Sequence, residues 1–90
     1  MARPIRTIAV SFRYVRSFRS LSADLQERLV VRERIFRSDA FDSRLGTHKL
    51  KGQLEGLWSY LIDRSFRVLF EFSAADAVLY HDVGSHRIYR

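Results

Sequence analysis

The chain has 90 residues, of which 47% are hydrophobic and 13% aromatic, and it contains no cysteine. This composition suffices for one packed core, so residues 1–90 are predicted to form a single domain, and whole-chain disorder is excluded. A disulfide framework and thiolate chemistry are excluded as well. No apolar run approaches the roughly 20 residues of a membrane span, and "MARPIRTIAV" lacks the apolar core of a signal peptide, so a cytoplasmic location is expected.

The chain is strongly basic. Its 16 Lys and Arg residues stand against 10 Asp and Glu, which gives a net charge of +6, and fourteen of the cations are arginine. The planar guanidinium group binds phosphate and carboxylate through paired hydrogen bonds and stacks on bases. The excess therefore indicates an anionic partner, most simply a nucleic acid, although a merely basic soluble protein would show the same balance.

The first half of the chain predicts one strand followed by two helices. Residues 5–12, "IRTIAVSF", alternate in the way that is typical of a strand. Apolar residues then recur at three- and four-residue steps, which predicts a helix, and Ser22 is a candidate cap for a second helix from about Ala23 to about Arg37. The first helical stripe is Phe12, Val15, Phe18, Leu21 and Leu25, and the second buries Leu25, Leu29, Val30, Ile35 and Phe36.

The second half predicts a loop and then strands. Residues 38–47 contain turn residues and a glycine, which is typical of a loop. Three strands follow, separated by the turns "DRS" and "SAAD", and they lie at residues 57–62, 66–72 and 77–84. An isolated first strand, a two-helix hairpin and a three-stranded antiparallel meander make an α+β fold with the helices on one sheet face.

The alternation within these strands predicts which face is buried. Alternate residues of the segments 57–62 and 66–72 are aromatic or aliphatic, and they are predicted to share one face of the sheet. They are Trp58, Tyr60 and Ile62 in the first segment and Phe66, Val68, Phe70 and Phe72 in the second. This face is expected to pack on the helices because it is the more apolar. The opposite face carries Arg67 and is expected to be open to solvent or to a partner.

The order of these elements resembles the RelE/ParE superfamily of bacterial type II toxins, and most of all its RelE and YafQ branch, the messenger-RNA endoribonucleases. The segments that carry the resemblance are "THKLKG" (47–52), "GLWSYLIDRSFRVLFEF" (56–72) and "DVGSHRIY" (82–89). The resemblance covers nearly the whole chain. It implies a small RelE-like fold and an acidic antitoxin as the protein partner.

The resemblance further implies ribosome-dependent cleavage of messenger RNA in the A site. In that reaction the 2′-hydroxyl of the RNA attacks the neighbouring phosphate. A base must remove the 2′-hydroxyl proton, an acid must protonate the leaving 5′ oxygen, and fixed cations must stabilise the transition state. None of these roles requires a metal or another cofactor, and the histidines at 48, 81 and 86 lack a zinc-type spacing.

Four residues match catalytic positions of these toxins. Arg67 matches the arginine that contacts the scissile phosphate, and His86 matches the basic or histidine position after the last strand, where imidazole suits proton transfer. Tyr89 matches a C-terminal aromatic that stacks on a base or assists proton transfer. His48 matches a loop histidine of YafQ-like toxins. Residues expected to contact RNA are Lys49, Lys51, Arg64 and Arg87.

Two residues depart from the pattern of the apparent relatives. Leu61 stands where YafQ-like toxins have a histidine and many close relatives an arginine, and Ser65 stands where an aspartate is common. Leucine can neither transfer a proton nor stabilise a phosphorane, so a weakened nuclease is expected unless Arg64 replaces the missing cation.

Two other functions fit the same sequence. A ParE-type toxin shares the fold and inhibits DNA gyrase through a protein–protein contact, which needs neither histidine nor tyrosine catalysts. A generic RNA-binding module that cleaves nothing is the other alternative, because a fold by itself does not determine function.

Overall fold

The computed structural model describes residues 2–89 and shows a five-stranded mixed sheet with helices packed on one face. The elements, in chain order, are β1 (Thr7–Val10), α1 (Phe12–Ser20), α2 (Ala23–Ser38), β2 (His48–Lys49), β3 (Trp58–Leu61), β4 (Phe66–Ala74) and β5 (Ala77–Ser85). Short 3-10 turns occur at Ser43–Leu45, Gly52–Leu54 and His86–Tyr89. The strand order is β1-β5-β4-β3-β2. The predicted α+β fold is confirmed.

Both edges of the sheet differ from the prediction. β1 is not isolated, because it pairs in parallel with β5 from Thr7–Ala77 to Val10–Tyr80. No strand was predicted at His48–Lys49, yet these residues form β2, which pairs antiparallel with β3. A two-residue strand is too short to show alternation, and a parallel partner 70 residues away leaves no local signal. The long-range pairing of β1 and the short pairing of β2 with the nearby β3 complete the five-stranded sheet.

Serine caps begin both helices. The hydroxyl of Ser11 accepts the N–H of Tyr14 at 3.0 Å, and the hydroxyl of Ser22 accepts the N–H of Leu25 at 3.2 Å. Such a cap satisfies one of the N–H groups that has no partner inside the helix. The predicted start of the second helix is confirmed. Neither helix, nor any other in residues 2–89, is long and apolar enough to cross a membrane.

Two of the helix residues that were predicted to be buried are exposed. Phe12 is 90% exposed, whereas Tyr14 is buried and packs on Tyr80 with ring centroids 5.1 Å apart. Phe12 and Tyr14 are separated by roughly 200° around the helix axis, so both cannot face the sheet. Val30 is likewise 44% exposed, because α2 turns Leu29 to the core instead. The predicted burial of Phe12 and Val30 is wrong.

An aromatic cluster fills the space between α2 and the sheet. The Phe36 ring is fully buried, with centroids 4.6 Å from Tyr60 and 5.0 Å from Phe70. The hydroxyls of Tyr60 and Tyr80 are hydrogen-bonded to each other at 2.7 Å. The predicted core side of the sheet is confirmed, since its members are either buried or packed on the core: Trp58, Tyr60, Ile62, Phe66, Val68, Phe70 and Phe72.

Candidate functional site

The sheet face opposite the helices is organised in two rows of cross-strand partners. Directly opposed residues of paired strands point to the same face, so each row presents its side chains together. The rows are Leu61, Arg67 and Gly84 on β3, β4 and β5, and His48, Ser59 and Leu69 on β2, β3 and β4. This register brings two of the predicted catalytic residues, Arg67 and His48, onto one face.

The 3-10 turn His86–Tyr89 folds back over this face. The Tyr89 hydroxyl donates a hydrogen bond to Ser59 Oγ at 2.9 Å and accepts one from Arg67 Nη1 at 3.4 Å. The Arg67 guanidinium carbon lies 5.5 Å from the centroid of the Tyr89 ring, which is a cation–π distance. The structure therefore brings a third predicted residue, Tyr89, into contact with Arg67.

The close packing of this turn depends on a glycine. A Cβ built on Gly84 would lie 2.7 Å from Ile88 Cγ2, closer than real Cβ contacts allow. Under the turn, Ser59 is fully buried and Leu69 is 5% exposed. The face was expected to be open, and that expectation is wrong around Ser59, where Tyr89 of the final turn covers the sheet, while His48 on the same face is exposed.

Arg67 carries a positive charge that no carboxylate of residues 2–89 compensates within 4.0 Å. Its side chain is half-buried, and its Nε has no hydrogen-bond partner among the described residues. The contact from Nη1 to Tyr89 is long. The Nε atom is itself buried, so the donors left for an anion such as phosphate are those of the two Nη atoms, which make no other hydrogen bond within residues 2–89.

His48 is exposed on β2, and its Nδ1 lies 3.0 Å from the carbonyl oxygen of Gly46. A carbonyl can only accept, so the Nδ1 atom carries the hydrogen in this contact. In the neutral ring the lone pair then lies on Nε2. This tautomer can take a proton from a ligand at the site.

His86 and Arg87 begin the final turn, and both are exposed. Their positions on the turn that carries Tyr89 place them at the border of the Arg67 face. No hydrogen bond to either side chain forms within residues 2–89, so both extend into solvent there. Across the same residues, no three His, Cys, Asp or Glu side chains lie close enough together to hold a metal ion.

The other predicted RNA contacts are dispersed. Lys49 is the cross-strand partner of Trp58, and its Nζ lies 6.0 Å from that ring. Strand alternation therefore points Lys49 to the face opposite His48, away from Arg67. Lys51 is exposed before the turn Gly52–Leu54, and Arg64 is exposed in the turn between β3 and β4. The structure does not bring these three cations into contact with Arg67.

Asp63 forms the turn between β3 and β4. Its Oδ1 accepts the backbone N–H groups of Ser65 at 2.8 Å and Phe66 at 2.7 Å. This is an Asx-type turn, which the sequence "DRS" could have indicated. An aspartate thus shapes the turn from a position two residues before Ser65.

Asp82 is a buried carboxylate that the sequence did not reveal. It is 4% exposed and accepts hydrogen bonds from Ser17 Oγ at 2.5 Å and from the N–H of Val83 at 2.8 Å. Arg13 Nε lies 3.1 Å from its other oxygen. These contacts attach α1 to β5 two residues before Gly84. The partners are some 65 residues apart in sequence, so no local pattern could have indicated the contact.

Several solved structures share this architecture. The YoeB/ParE toxin from Agrobacterium tumefaciens matches with a TM-score of 0.75 and 15% identity, over 90% of this chain and 99% of that one. The toxin–antitoxin complex RelBE2 from Mycobacterium tuberculosis matches with a TM-score of 0.76 and 15% identity, over 91% and 92%. The fold is that of the RelE/ParE toxins. YafQ from E. coli strain BL21(DE3) matches with a TM-score of 0.69 and 11% identity, over 93% and 97%.

No family profile and no curated protein sequence matches the chain. The TM-scores of 0.69 to 0.76 establish the shared fold, whereas identities of 11% to 15% do not carry the role of any side chain over to this chain. The sequence segments around Lys49, Arg67 and His86 predicted a RelE/ParE fold, and that prediction is confirmed.

Proposed function

We propose that this chain is the toxin of a bacterial type II toxin–antitoxin system and that it cleaves messenger RNA in the ribosomal A site. The observation that carries the proposal is Arg67, a cation with no carboxylate partner among residues 2–89, on the sheet face that also presents His48 and Tyr89. A guanidinium with unused donors is suited to an RNA phosphate. The likeness to toxin structures supports the same class of function.

Each step of the cleavage has a candidate residue. The Nε2 of His48 takes the proton of the 2′-hydroxyl as that oxygen bonds to phosphorus. Arg67 stabilises the added charge on the phosphorane. The bond from phosphorus to the 5′ oxygen then breaks, and His86 in its protonated form gives that oxygen a proton. The products are a 2′,3′-cyclic phosphate and a 5′-hydroxyl end.

Tyr89 is assigned to base stacking rather than to proton transfer. Its single hydrogen is already donated to Ser59, so the hydroxyl has no proton left for the leaving oxygen. A phenol ring held on a guanidinium offers a flat surface to a nucleobase. The exposed cations Lys51, Arg64 and Arg87 are suited to the flanking phosphates, whose contribution depends on salt.

The test uses the chain in a cell-free translation system, with primer extension to map cleavage of the translated transcript. The natural chain is expected to cut, and Arg67→Ala to reduce cutting on the order of a hundredfold or more, because a charge-stabilising contact is lost. Arg34→Ala is the matched control, since Arg34 is an exposed helical arginine on α2. DNA of the same sequence should survive because it lacks the attacking 2′-hydroxyl.

Two outcomes would replace the proposal. Intact transcripts together with loss of DNA gyrase supercoiling activity would assign the chain to the ParE-type function. Retained RNA binding without any cleavage, in translating and non-translating mixtures alike, would instead assign it to a non-catalytic RNA-binding module.

An acidic antitoxin completes the proposal. The net charge of +6 favours a partner of opposite charge, and known structures with this fold include a toxin–antitoxin complex. Such a partner would cover the surface around Arg67 and so block access of the RNA. The cell would then be protected as long as the antitoxin is bound.

A further inference from the structure

We propose that Ser59 is a positioning residue, which holds the ring of Tyr89 against Arg67 through a buried hydrogen bond. This inference rests on the proposed RNA cleavage, because Tyr89 and Arg67 are its stacking surface and its phosphate contact. Ser59 itself touches no reacting atom. Nothing in the sequence pattern distinguishes it from other strand serines.

Ser59 is fully buried in the sheet. It lies in the middle of β3, between His48 on one neighbouring strand and Leu69 on the other, and its exposed fraction is 0%. A hydroxyl enclosed in this way costs free energy unless it is paired. Its partner is the Tyr89 hydroxyl, 30 residues further along the chain. The pairing therefore links the floor of the face to the turn above it.

The Tyr89 hydroxyl is hydrogen-bonded both to Ser59 and to Arg67. The Tyr89 hydroxyl has one hydrogen, and that hydrogen is donated to Ser59 Oγ at 2.9 Å. The same oxygen accepts from Arg67 Nη1, whose guanidinium lies 5.5 Å from the ring centroid. With its hydroxyl fixed at one end, the ring cannot swing away from the guanidinium. The half-buried ring still leaves part of its surface to a nucleobase.

Within residues 2–89, few other hydrogen bonds attach the final turn to the sheet. Ile88 packs on Gly84, and the N–H of Arg87 lies 3.4 Å from Ser85 Oγ, which is a long hydrogen bond. A turn of this length has no extended backbone pairing of its own. Loss of the Ser59 hydroxyl is therefore expected to loosen Tyr89 rather than the sheet beneath it.

The kinetic test is a double-mutant cycle in single-turnover cleavage on programmed ribosomes. Ser59→Ala removes the acceptor of the hydrogen bond, and Tyr89→Phe removes its donor. An aromatic ring remains at position 89 in both variants. Each is expected to lower cleavage about tenfold, and Tyr89→Phe somewhat more because it also removes the acceptor of Arg67 Nη1. The double variant is expected to be no slower than Tyr89→Phe alone, because Ser59 acts only through Tyr89. Ser73→Ala, an exposed serine of the same sheet, is the control. Additive losses of about a hundredfold in the double variant would overturn the proposal.

A spectroscopic test separates this inference from the proposed function. In protein labelled with ¹³C at the tyrosine rings, Ser59→Ala is expected to shift the Tyr89 resonances towards those of a mobile tyrosine and to leave Tyr60 and Tyr80 unchanged. Thermal unfolding of the same sample verifies that it is folded. Unchanged Tyr89 resonances would overturn the positioning role even if RNA is cleaved. If the natural chain cleaves no RNA, the proposed function fails, whereas the expected shift would still support the contact.

Discussion

Leu61 and Arg67 face each other across β3 and β4. The leucine side chain lies within reach of Gly46, since a Cβ built there would be 3.3 Å from Leu61 Cδ1. The position beside the proposed phosphate contact is therefore apolar, with neither a proton to transfer nor a charge. The resemblance to the RelE and YafQ toxins implies a histidine or an arginine at this place, so under the proposed function a weakened nuclease is expected.

Leu61→Arg is expected to raise cleavage, up to the order of a hundredfold, because it adds a cation next to the phosphorane. The half-buried site lets the arginine stem pack while its head reaches outward. Single-turnover cleavage on programmed ribosomes is the measurement. Leu61→Met is the matched control, since it keeps an apolar side chain of similar size and should give no gain.

Arg64→Ala addresses the alternative that Arg64 replaces the missing cation. Arg64 is exposed on the turn between β3 and β4, so only a small loss of cleavage is expected. If Leu61→Arg gives no gain while Arg64→Ala abolishes cleavage, Arg64 is the substitute and the weakened-site interpretation is wrong.

The buried pair Tyr60 and Tyr80 should show strong coupling in stability. Tyr60→Phe leaves the Tyr80 hydroxyl without its 2.7 Å partner, which is expected to lower the free energy of unfolding by about 1–3 kcal/mol. The double variant with Phe at both positions should lose little more than either single variant, because no orphaned hydroxyl remains. Urea unfolding measures this, and strictly additive losses would contradict it.

The same pair predicts a loss of stability at alkaline pH. Burial raises the pKa of both Tyr60 and Tyr80 well above the ordinary value. Their neutral forms therefore stabilise the fold fully below the unfolded-state pKa of about 10, and this contribution declines as the pH rises above it. The free energy of unfolding of the double Phe variant should fall less steeply above pH 10 than that of the natural chain. Equal slopes would mean that other groups dominate.

The ionised Asp42 carboxylate is expected to contribute to the stability of the fold, and this contribution is expected to be lost at acid pH. The hydrogen bond from the Arg44 side chain, and then that from the Arg44 backbone N–H, lower the pKa of Asp42 to about 2. A depressed folded-state pKa adds stability above the unfolded-state value of about 3.9, and this is lost as the pH falls towards 2. Asp42→Asn should make the acid limb of the stability curve less steep. Asp24→Asn, which removes the exposed pair with Arg28, is the control.

Association with the proposed acidic antitoxin should depend on salt. A net charge of +6 accelerates the encounter with an acidic protein at low ionic strength, and salt screens that attraction. Stopped-flow association is expected to slow at least about tenfold between low and high salt. A flat response would show that the basic charge serves another contact.

Much of the fold was predictable because its signals are local. The alternation from Phe66 to Phe72 and the serine cap at Ser22 depend on neighbouring residues alone, and both predictions are confirmed. The same alternation placed Leu61 beside Arg67, as the register shows. For the candidate site, the resemblance to the RelE/ParE toxins indicated Arg67, His48, His86 and Tyr89, and their catalytic roles stay predictions.

The remainder required the tertiary structure, because it depends on which distant segments meet. The parallel pairing of β1 with β5 and the two-residue β2 have no local pattern. The burial of Ser59 and of Asp82 follows from partners 30 and 65 residues away in sequence. A serine that alternates with apolar residues in a strand is expected to be solvent-exposed. Ser59 is buried instead, because the final turn covers it. Only the folding of the final turn onto β3 brings Tyr89, Ser59 and Arg67 together, because a hydrogen bond between such distant residues is set by register and packing rather than by local propensity.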